Sequence, residues 1–390
     1  MARKPRPHIP QSGEELTAAW FTRVLADRVD GASVVEVTRQ VIGSGIGFVG
    51  ELHRCELTWD RDRDGLPGSV VVKVPSKVLQ NRILGEGLFA YEREIRVYQD
   101  FDGCLGLPMP AYWYGEMDPD PAPWLSTVVT FLFEKLPIRA INWLIDRLLK
   151  FGEKSERRYV LVIEDIRDVR SPMQVEGGSV ADVRIALELL ARFHAANWMA
   201  EQVVEDNPHF WGVNRTPKVI QASYRRNRDG FLERFGSLMN PAMIAKIDAL
   251  EERIPEAVDR LVEPPWSLLH GDYRLDNILF RPEGDPVVVD YQAIGYGRPG
   301  WDVAYFITTA LSPEHRDEED SLLRTYHDAL IGAGATGHSF EQLRADVVLT
   351  KDLLAHRMIG AGDLIDTALE GRDDSFVDLA AARIMGWVDP

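Results

Sequence analysis

The chain has 390 residues, of which 45% are hydrophobic and 27% are charged, a composition typical of globular proteins. This excludes a disordered chain, a collagen-like repeat and a coiled-coil rod, and the length predicts two domains or lobes. The 61 acidic residues outnumber the 44 basic ones, and the resulting net charge of −17 disfavours nucleic acid and anionic membranes as general partners.

Cysteine content and apolar runs bear on the cellular compartment. Two cysteines, Cys55 and Cys104, are too few for a disulfide framework or a structural zinc site, which favours reduced thiols. The first eight residues are followed by no apolar run, so the sequence predicts no signal peptide. The longest apolar run, 124–133, falls short of the roughly 20 residues that a membrane-spanning helix needs. We therefore expect a cytoplasmic protein without an integral membrane segment.

The first 168 residues mix helix and strand patterns. An amphipathic helix is predicted to follow Glu15, and a second one at 84–99. Apolar and β-branched runs bounded by turn residues predict strands at 32–42, 51–60, 69–74, 110–114 and 159–164. Residues 1–168 are therefore expected to form an N-terminal lobe of antiparallel sheet plus helix, with an insertion at 124–158.

Residues 169–390 are predicted to form a mostly helical C-terminal lobe. Apolar residues recur with a spacing close to 3.6 at 181–199, 241–262, 322–331 and 340–359. The segment 266–290 between them has short strands and loops. The predicted fold class is therefore α+β with two lobes.

A glycine-rich segment, 43–50, joins two predicted strands. Its last six residues match G-x-G-x-x-G, but a strand follows them, which argues against a dinucleotide-binding turn. A glycine-rich hairpin over nucleotide phosphates is the kinase alternative, because bare main-chain N–H groups can approach the phosphates. Gly43, Ser44, Gly45 and Gly47 are the candidate contacts, and a merely flexible hairpin is the competing interpretation.

Lys73 lies inside the apolar strand pattern 69–74, where a buried ammonium group needs a counter-charge. It could pair with nucleotide phosphates and with a carboxylate of the following helix. We favour Glu94, because Glu92 lies four residues before Arg96 and is expected to be its exposed partner. A lysine that points to solvent from an edge strand is the alternative.

The strongest motif is His270-Gly-Asp272-Tyr-Arg274-Leu-Asp-Asn277, followed by an apolar strand that ends in Asp290. Phosphoryl transfer needs a carboxylate near the attacking hydroxyl and oxygen ligands for magnesium. Asp272 is the candidate for the first role, and Asn277 and Asp290 are the candidates for the second. Arg274 could offset charge on the transferring phosphoryl group.

These motifs, in this order, resemble the protein-kinase-like small-molecule phosphotransferases: aminoglycoside phosphotransferases, choline kinases and the ecdysteroid-kinase-like group. The resemblance extends over about 10–309 and is strongest at 160–166, 190–198, 270–277 and 289–292. It implies a two-lobe kinase-like fold that uses ATP and Mg²⁺, with 1–168 as the nucleotide-binding lobe and 169–390 as the catalytic and substrate-binding lobe. It also implies that the hinge residues Ile163, Glu164 and Ile166 meet adenine, that Lys73 pairs with Glu94, and that Asp272 is the base.

The chain also departs from protein kinases. His270-Gly-Asp272 replaces H-R-D, Asp290-Tyr-Gln replaces D-F-G, and no A-P-E element follows, which argues against a protein substrate. Asp302 is expected to orient the catalytic loop, or else to be a carboxylate at a helix N-terminus. His194 lies on an apolar helix face and is expected to be a hydrogen-bonded core residue.

The sequence therefore predicts an O-phosphotransferase that moves the γ-phosphoryl group of ATP to a hydroxyl of a small molecule. The amphipathic stretch 138–150 could be a helix packed on its own lobe, a dimer contact, or a lid over an apolar substrate. Peripheral membrane contact is a further alternative, which the acidic net charge disfavours. The lid interpretation favours a largely apolar alcohol, either sterol-like or a hydroxyacyl thioester. An aminoglycoside-type phosphotransferase and a non-catalytic pseudokinase that acts as an interaction module are the alternatives, and a monomer and a homodimer are both compatible.

Overall fold

The computed structural model describes residues 7–42, 50–62, 65–101, 105–153, 155–174, 176–361 and 375–389. It has two compact units. Unit 1 comprises Met1–Gly103, Met109–Pro121 and Leu149–Asp168, and unit 2 comprises Cys104–Pro108, Ala122–Leu148 and Val169–Pro390. The main division after Asp168 coincides with the change from mixed to helical sequence patterns. Within the described part of the chain, no helix is both long and apolar enough to cross a membrane.

Unit 1 is built on a five-stranded antiparallel sheet with the strand order β1-β2-β3-β5-β4. Its strands are β1 (Val34–Ile42), β2 (Gly50–Trp59), β3 (Ser69–Pro75), β4 (Tyr112–Met117) and β5 (Tyr159–Glu164). The alternating side chains of these strands bury one face against helix α1 (Ala18–Leu25). Phe21 and Leu25 of α1 and Val72 of β3 are fully buried in this core.

Two helices stand where the sequence predicts one at 84–99. They are α2 (Leu79–Gly87) and α3 (Ala90–Asp100). Phe89 between them has φ 56°, a left-handed conformation that interrupts the helix. The prediction of a single helix is therefore wrong. A periodic apolar pattern does not show that one residue between two helical segments has a left-handed main-chain conformation.

Unit 2 is mostly helical. Its helices are α4 (Pro123–Lys135), α5 (Ile138–Gly152, which continues into unit 1), α6 (Val180–Ala196), α7 (Glu201–Asp206), α8 (Pro217–Phe235), α9 (Pro241–Glu251), α10 (Ile254–Arg260), α11 (Gly300–Ala310), α12 (Glu319–Gly332), α13 (Phe340–Gly360) and α14 (Ser375–Gly386). Two small sheets lie among them, with orders β6-β10-β7 and β8-β9. Their strands are β6 (Trp211–Gly212), β7 (Ser267–Leu269), β8 (Ile278–Leu279), β9 (Val287–Val288) and β10 (Gly295–Gly297).

The segment 124–158 is predicted to be an insertion in the first lobe. Most of it instead belongs to unit 2, which includes Ala122–Leu148. Lys218 Nζ of α8 donates to the carbonyl oxygens of Glu134 and Leu136, at 2.7 and 3.2 Å. Asn142 of α5 donates to the carbonyl oxygen of Ala222, also in α8, at 3.3 Å. Polar contacts with α8 therefore hold both helices, a partnership that no sequence pattern indicated.

Candidate active site

Lys73 and Glu94 lie in unit 1, on β3 and α3. Lys73 occupies the middle of the sheet, paired in register with Leu52 of β2 and Leu161 of β5. Its Nζ contacts Glu94 Oε1, and the two side chains are only 13% and 3% exposed. The predicted pair is thus present in a largely buried setting, where an ammonium group is stabilised by a carboxylate beside it.

Glu92 differs from its predicted role as an exposed partner of Arg96. It is 5% exposed, and Arg157 donates a hydrogen bond to its Oε1 at 2.9 Å. Arg157 precedes β5 in the chain and reaches α3 only through the tertiary fold. Helical spacing identified a possible local partner, but burial favoured a distant one.

The predicted hinge residues lie at the end of strand β5 and just beyond it. Ile163 is buried and pairs with Val71 of β3, while the N–H of Glu164 donates to the carbonyl oxygen of Ala111 at 2.9 Å. Ile166 lies beyond β5, and within the described chain its main-chain N–H and C=O form no hydrogen bond. A free donor and acceptor at this position suit the edge of an adenine ring. Gly43, Ser44, Gly45 and Gly47 lie outside the described residues.

The catalytic-loop motif begins directly after β7, in unit 2. Asp302, in the first turn of α11, accepts hydrogen bonds from the main-chain N–H groups of His270 at 2.7 Å and Gly271 at 3.0 Å. Asp302 is fully buried and also contacts His194 Nε2 at 3.2 Å. Both predicted interpretations of Asp302 are therefore correct: it is a carboxylate at a helix N-terminus, and it orients this loop.

His194 and His270 are both fully buried. The ring of His194 contacts Tyr326 Oη at 2.7 Å as well as Asp302, so the prediction of a hydrogen-bonded core histidine is confirmed. Burial lowers the pKa of His270, although the nearby carboxylate charges, Asp302 first among them, act in the opposite direction. A neutral His270 therefore supports the loop, and its Nε2 lies 3.2 Å from the carbonyl oxygen of Val289.

Asp272 projects its carboxylate from this loop, and its side chain is 28% exposed. Oδ2 accepts from Arg274 Nε at 3.2 Å and from Asn277 Nδ2 at 3.1 Å. Oδ1 accepts from the hydroxyl of Tyr305 at 2.8 Å. The carboxylate is thus held on both sides and still reaches solvent. Tyr305 was missed by sequence reasoning, although it lies one helical turn beyond Asp302.

Arg274 is 8% exposed and lies between two carboxylates. Besides Asp272, it donates to Asp276 Oδ2 at 2.8 Å and to Gln174 Oε1 at 3.1 Å. Burial acts to lower the pKa of Arg274, but the charges of Asp272 and other nearby acidic groups outweigh it and raise the pKa. Arg274 is therefore a permanent cation that braces the loop, and its partners Asp276 and Gln174 carried no sequence signal.

Asn277 and Asp290 are brought together by the hairpin of β8 and β9. The N–H of Val289 donates to the carbonyl oxygen of Asn277 at 3.0 Å, which extends the pairing one step beyond the strands. Asp290 follows directly, with φ 71° and ψ 67°, a strained conformation of the kind that concentrates at functional sites.

The donor set at this hairpin fits magnesium. The amide nitrogen of Asn277 is used by Asp272, so its oxygen is the atom left to face a cation, and no described residue donates to it. Groups of three or more His, Cys, Asp and Glu side chains suited to a metal do not occur among the described residues. A site that binds a nucleotide-bound Mg²⁺ needs fewer protein ligands, because phosphates and waters supply the others.

Gly271 cannot be replaced without moving the loop. It has φ +78°, and a Cβ there would collide with the carbonyl oxygen of Ala293. We expect Gly271→Ala to lower the free energy of unfolding by clearly more than the cost of positive φ alone, about 1–2 kcal/mol. Gly284→Ala is the matched control, since Gly284 has φ +82° and no atom within 4 Å of the place that a Cβ would take. Equal urea-unfolding losses in the two variants would contradict the prediction.

The fold of the chain is found in solved phosphotransferase structures. The gentamicin–APH(2")-IIa complex matches with a TM-score of 0.50 and 14% identity, over 98% of this chain and 100% of that one. Macrolide 2'-phosphotransferase MphH of Brachybacterium faecium gives 0.46 and 15%, over 93% and 97%. An ethanolamine kinase of Plasmodium vivax gives 0.48 and 10%, over 94% and 85%. The first of these matches confirms the predicted class, an α+β protein-kinase-like fold.

Residues 145–335 match the ecdysteroid kinase-like family. This match covers just under half of the chain and includes Asp272, Asn277 and Asp290. It confirms the resemblance that the motifs indicated and supports phosphoryl transfer to a small molecule.

One curated relative is an Arabidopsis thaliana protein, IBR3, described as a probable acyl-CoA dehydrogenase. It is 33% identical over 86 residues, which are 20% of this chain. The aligned part spans 10% of that protein's length, so the similarity is local.

Proposed function

We propose that the protein is an ATP- and Mg²⁺-dependent O-phosphotransferase acting on a hydroxyl group of a small molecule. The observation that carries this proposal is the catalytic loop, in which a solvent-accessible carboxylate, Asp272, is braced by Arg274, Asn277 and Tyr305. In the hairpin that follows, the N–H of Val289 pairs with the carbonyl oxygen of Asn277, so Asp290 comes one residue after this pairing. The side chains of Asn277 and Asp290 both carry oxygen atoms of the kind that bind magnesium. A base beside a place for nucleotide-bound metal is the arrangement that phosphoryl transfer needs.

In the proposed reaction the acceptor hydroxyl donates its hydrogen bond to Asp272. The hydroxyl oxygen attacks the γ-phosphorus, the bond from that phosphorus to the bridging oxygen of ADP breaks, and the proton passes to the Asp272 carboxylate. Magnesium, when bound, would neutralise charge on the phosphates, with Asn277 and Asp290 as its protein ligands. Lys73, held by Glu94, would contact phosphate oxygens, and the main chain of Ile166 would meet adenine.

We propose a largely apolar alcohol as the acceptor. The predicted apolar stripe of α5 is at least partly covered: Ile141 is fully buried, and Ile138, Leu144, Ile145 and Leu148 are half-buried. Large apolar side chains of α4 are instead open to solvent: Trp124 is 64%, Val128 41% and Phe131 56% exposed. They recur at i, i+4 and i+7 on one side of the helix, which suits contact with an apolar molecule. A sterol-like alcohol and a hydroxyacyl thioester are both largely apolar. The local similarity to a protein described as a probable acyl-CoA dehydrogenase favours the thioester, because acyl-CoA compounds are thioesters.

Calorimetric titration with ATP, in the presence and absence of Mg²⁺, tests the nucleotide site. We expect magnesium to strengthen binding to the wild type and to give no such gain in Asp290→Ala. Asp285→Ala is the matched control, because Asp285 is half exposed and pairs with Arg192 at 2.7 Å. Binding that ignores magnesium in the wild type would contradict the proposal and favour a non-catalytic nucleotide-binding module.

The acceptor class is tested by ADP release in the presence of a sterol, a hydroxyacyl-CoA and an aminoglycoside. Release stimulated by either of the first two would support an apolar acceptor. Stimulation by the aminoglycoside alone would replace it with the alternative substrate class.

A further inference from the structure

Helix α11 supports the catalytic loop at two places one turn apart. Asp302 holds the main chain of the loop through His270 and Gly271. Tyr305, three residues later and on the same side of the helix, reaches the carboxylate of Asp272. The helix is itself well anchored, since every residue of Gly300–Ala310 except Tyr305 is buried.

The hydrogen bonds of Asp272 distinguish its two oxygens. An ionised carboxylate oxygen has about two lone-pair directions. Those of Oδ2 are taken by Arg274 Nε and Asn277 Nδ2. Oδ1 accepts only from Tyr305 among the described residues, so one of its lone-pair directions is left for an acceptor hydroxyl.

The hydroxyl of Tyr305 acts as a donor throughout the working pH range. Partial burial of the phenol ring, with the negative charge of Asp272 beside it, raises the pKa of Tyr305 well above its ordinary value. A protonated phenol donates its single hydrogen to Oδ1, which fixes the rotation of the carboxylate about its Cβ–Cγ bond.

We propose that Tyr305 is a positioning residue that directs Oδ1 of Asp272 toward the acceptor hydroxyl, so that this oxygen receives the proton. The proposal rests on the proposed phosphotransferase function and assigns the proton-accepting atom within it. Tyr305 does not itself touch the reacting atoms. It acts through the carboxylate, whose orientation decides how often the attacking hydroxyl is aligned.

Steady-state kinetics of Tyr305→Phe test the role. We expect kcat to fall roughly ten- to a hundredfold with the KM for ATP unchanged, because proton transfer to a positioned base contributes on the order of 10²–10⁴-fold.

Tyr224→Phe is the matched control. Tyr224 is buried, and its hydroxyl donates to Asp248 Oδ1 at 2.6 Å, while Arg228 also binds that carboxylate. The control removes a bond of the same kind far along the chain from the catalytic loop, so we expect both kcat and the KM for ATP to stay as in the wild type. Equal kcat losses in Tyr305→Phe and Tyr224→Phe would overturn the proposal.

A stability cycle tests the contact without relying on activity. Urea-unfolding midpoints of Tyr305→Phe, Asp272→Ala and the double variant should be non-additive, because the two side chains share one hydrogen bond. Additive shifts would overturn the proposal. Failure of the phosphotransferase function would be seen separately, as a wild type that releases no ADP with any acceptor, and the cycle would still decide whether Tyr305 holds Asp272.

Discussion

Replacing Asp272 with asparagine should lower kcat for phosphoryl transfer by about 10²–10⁴-fold, the range for loss of a positioned general base. Asparagine keeps the size of the side chain and can still accept from Tyr305, but it cannot take up the proton of the acceptor hydroxyl. ATP affinity, measured by calorimetry, should stay close to that of the wild type.

Asp285→Asn is the control for this experiment. Asp285 carries the same charge, but it is half exposed and pairs with Arg192 on the surface. We expect it to leave kcat unchanged. Near-wild-type turnover in Asp272→Asn would refute the assignment of the base, whereas loss of ATP binding together with turnover would indicate a disrupted site.

Lys73→Met should have the second large effect, on both stability and nucleotide binding. Removing one partner of a buried ion pair costs about 3–5 kcal/mol of unfolding free energy, because the other charge stays in a dry environment. Lys73 and Glu94 are both largely buried, so we expect a loss of this order in urea unfolding. ATP affinity should fall as well, because the phosphate oxygens lose a cation.

The double variant Lys73→Met/Glu94→Gln separates these two effects. Neutralising Glu94 should recover much of the stability, but ATP binding should remain weak. Lys77→Met is the matched control, since Lys77 lies four residues away, is 61% exposed and pairs with Glu51 at 3.3 Å. Recovery of ATP affinity in the double variant would contradict a direct role for Lys73 in binding phosphate.

Much of the site could be predicted because its residues are close together in sequence or end a recognisable element. Asp272, Arg274 and Asn277 lie within six residues of one loop, and the structure joins all three by hydrogen bonds. The strand pattern around Lys73 required a buried counter-charge, and Glu94 supplies it. The glycine-rich segment 43–50 and its roles stay predictions.

Two of the predictions that differ from the structure concern partners distant in sequence. Helical spacing predicts Arg96 as the partner of Glu92, but Glu92 binds Arg157 of another segment. Position in the chain predicts that the insertion belongs to the first lobe, yet hydrogen bonds of Lys218 and Asn142 hold its two helices against α8 of unit 2.

By itself, the sequence determined the fold class, the order of the motifs and the residue types of the catalytic loop. These follow from local propensity, periodicity and spacing, which operate over a few residues. Only the tertiary structure decided that Tyr305 holds Asp272 and that Gln174 and Asp276 enclose Arg274. Such contacts depend on which helix packs against which loop, and the free energy of that packing comes from burial of whole faces rather than from any single residue pair.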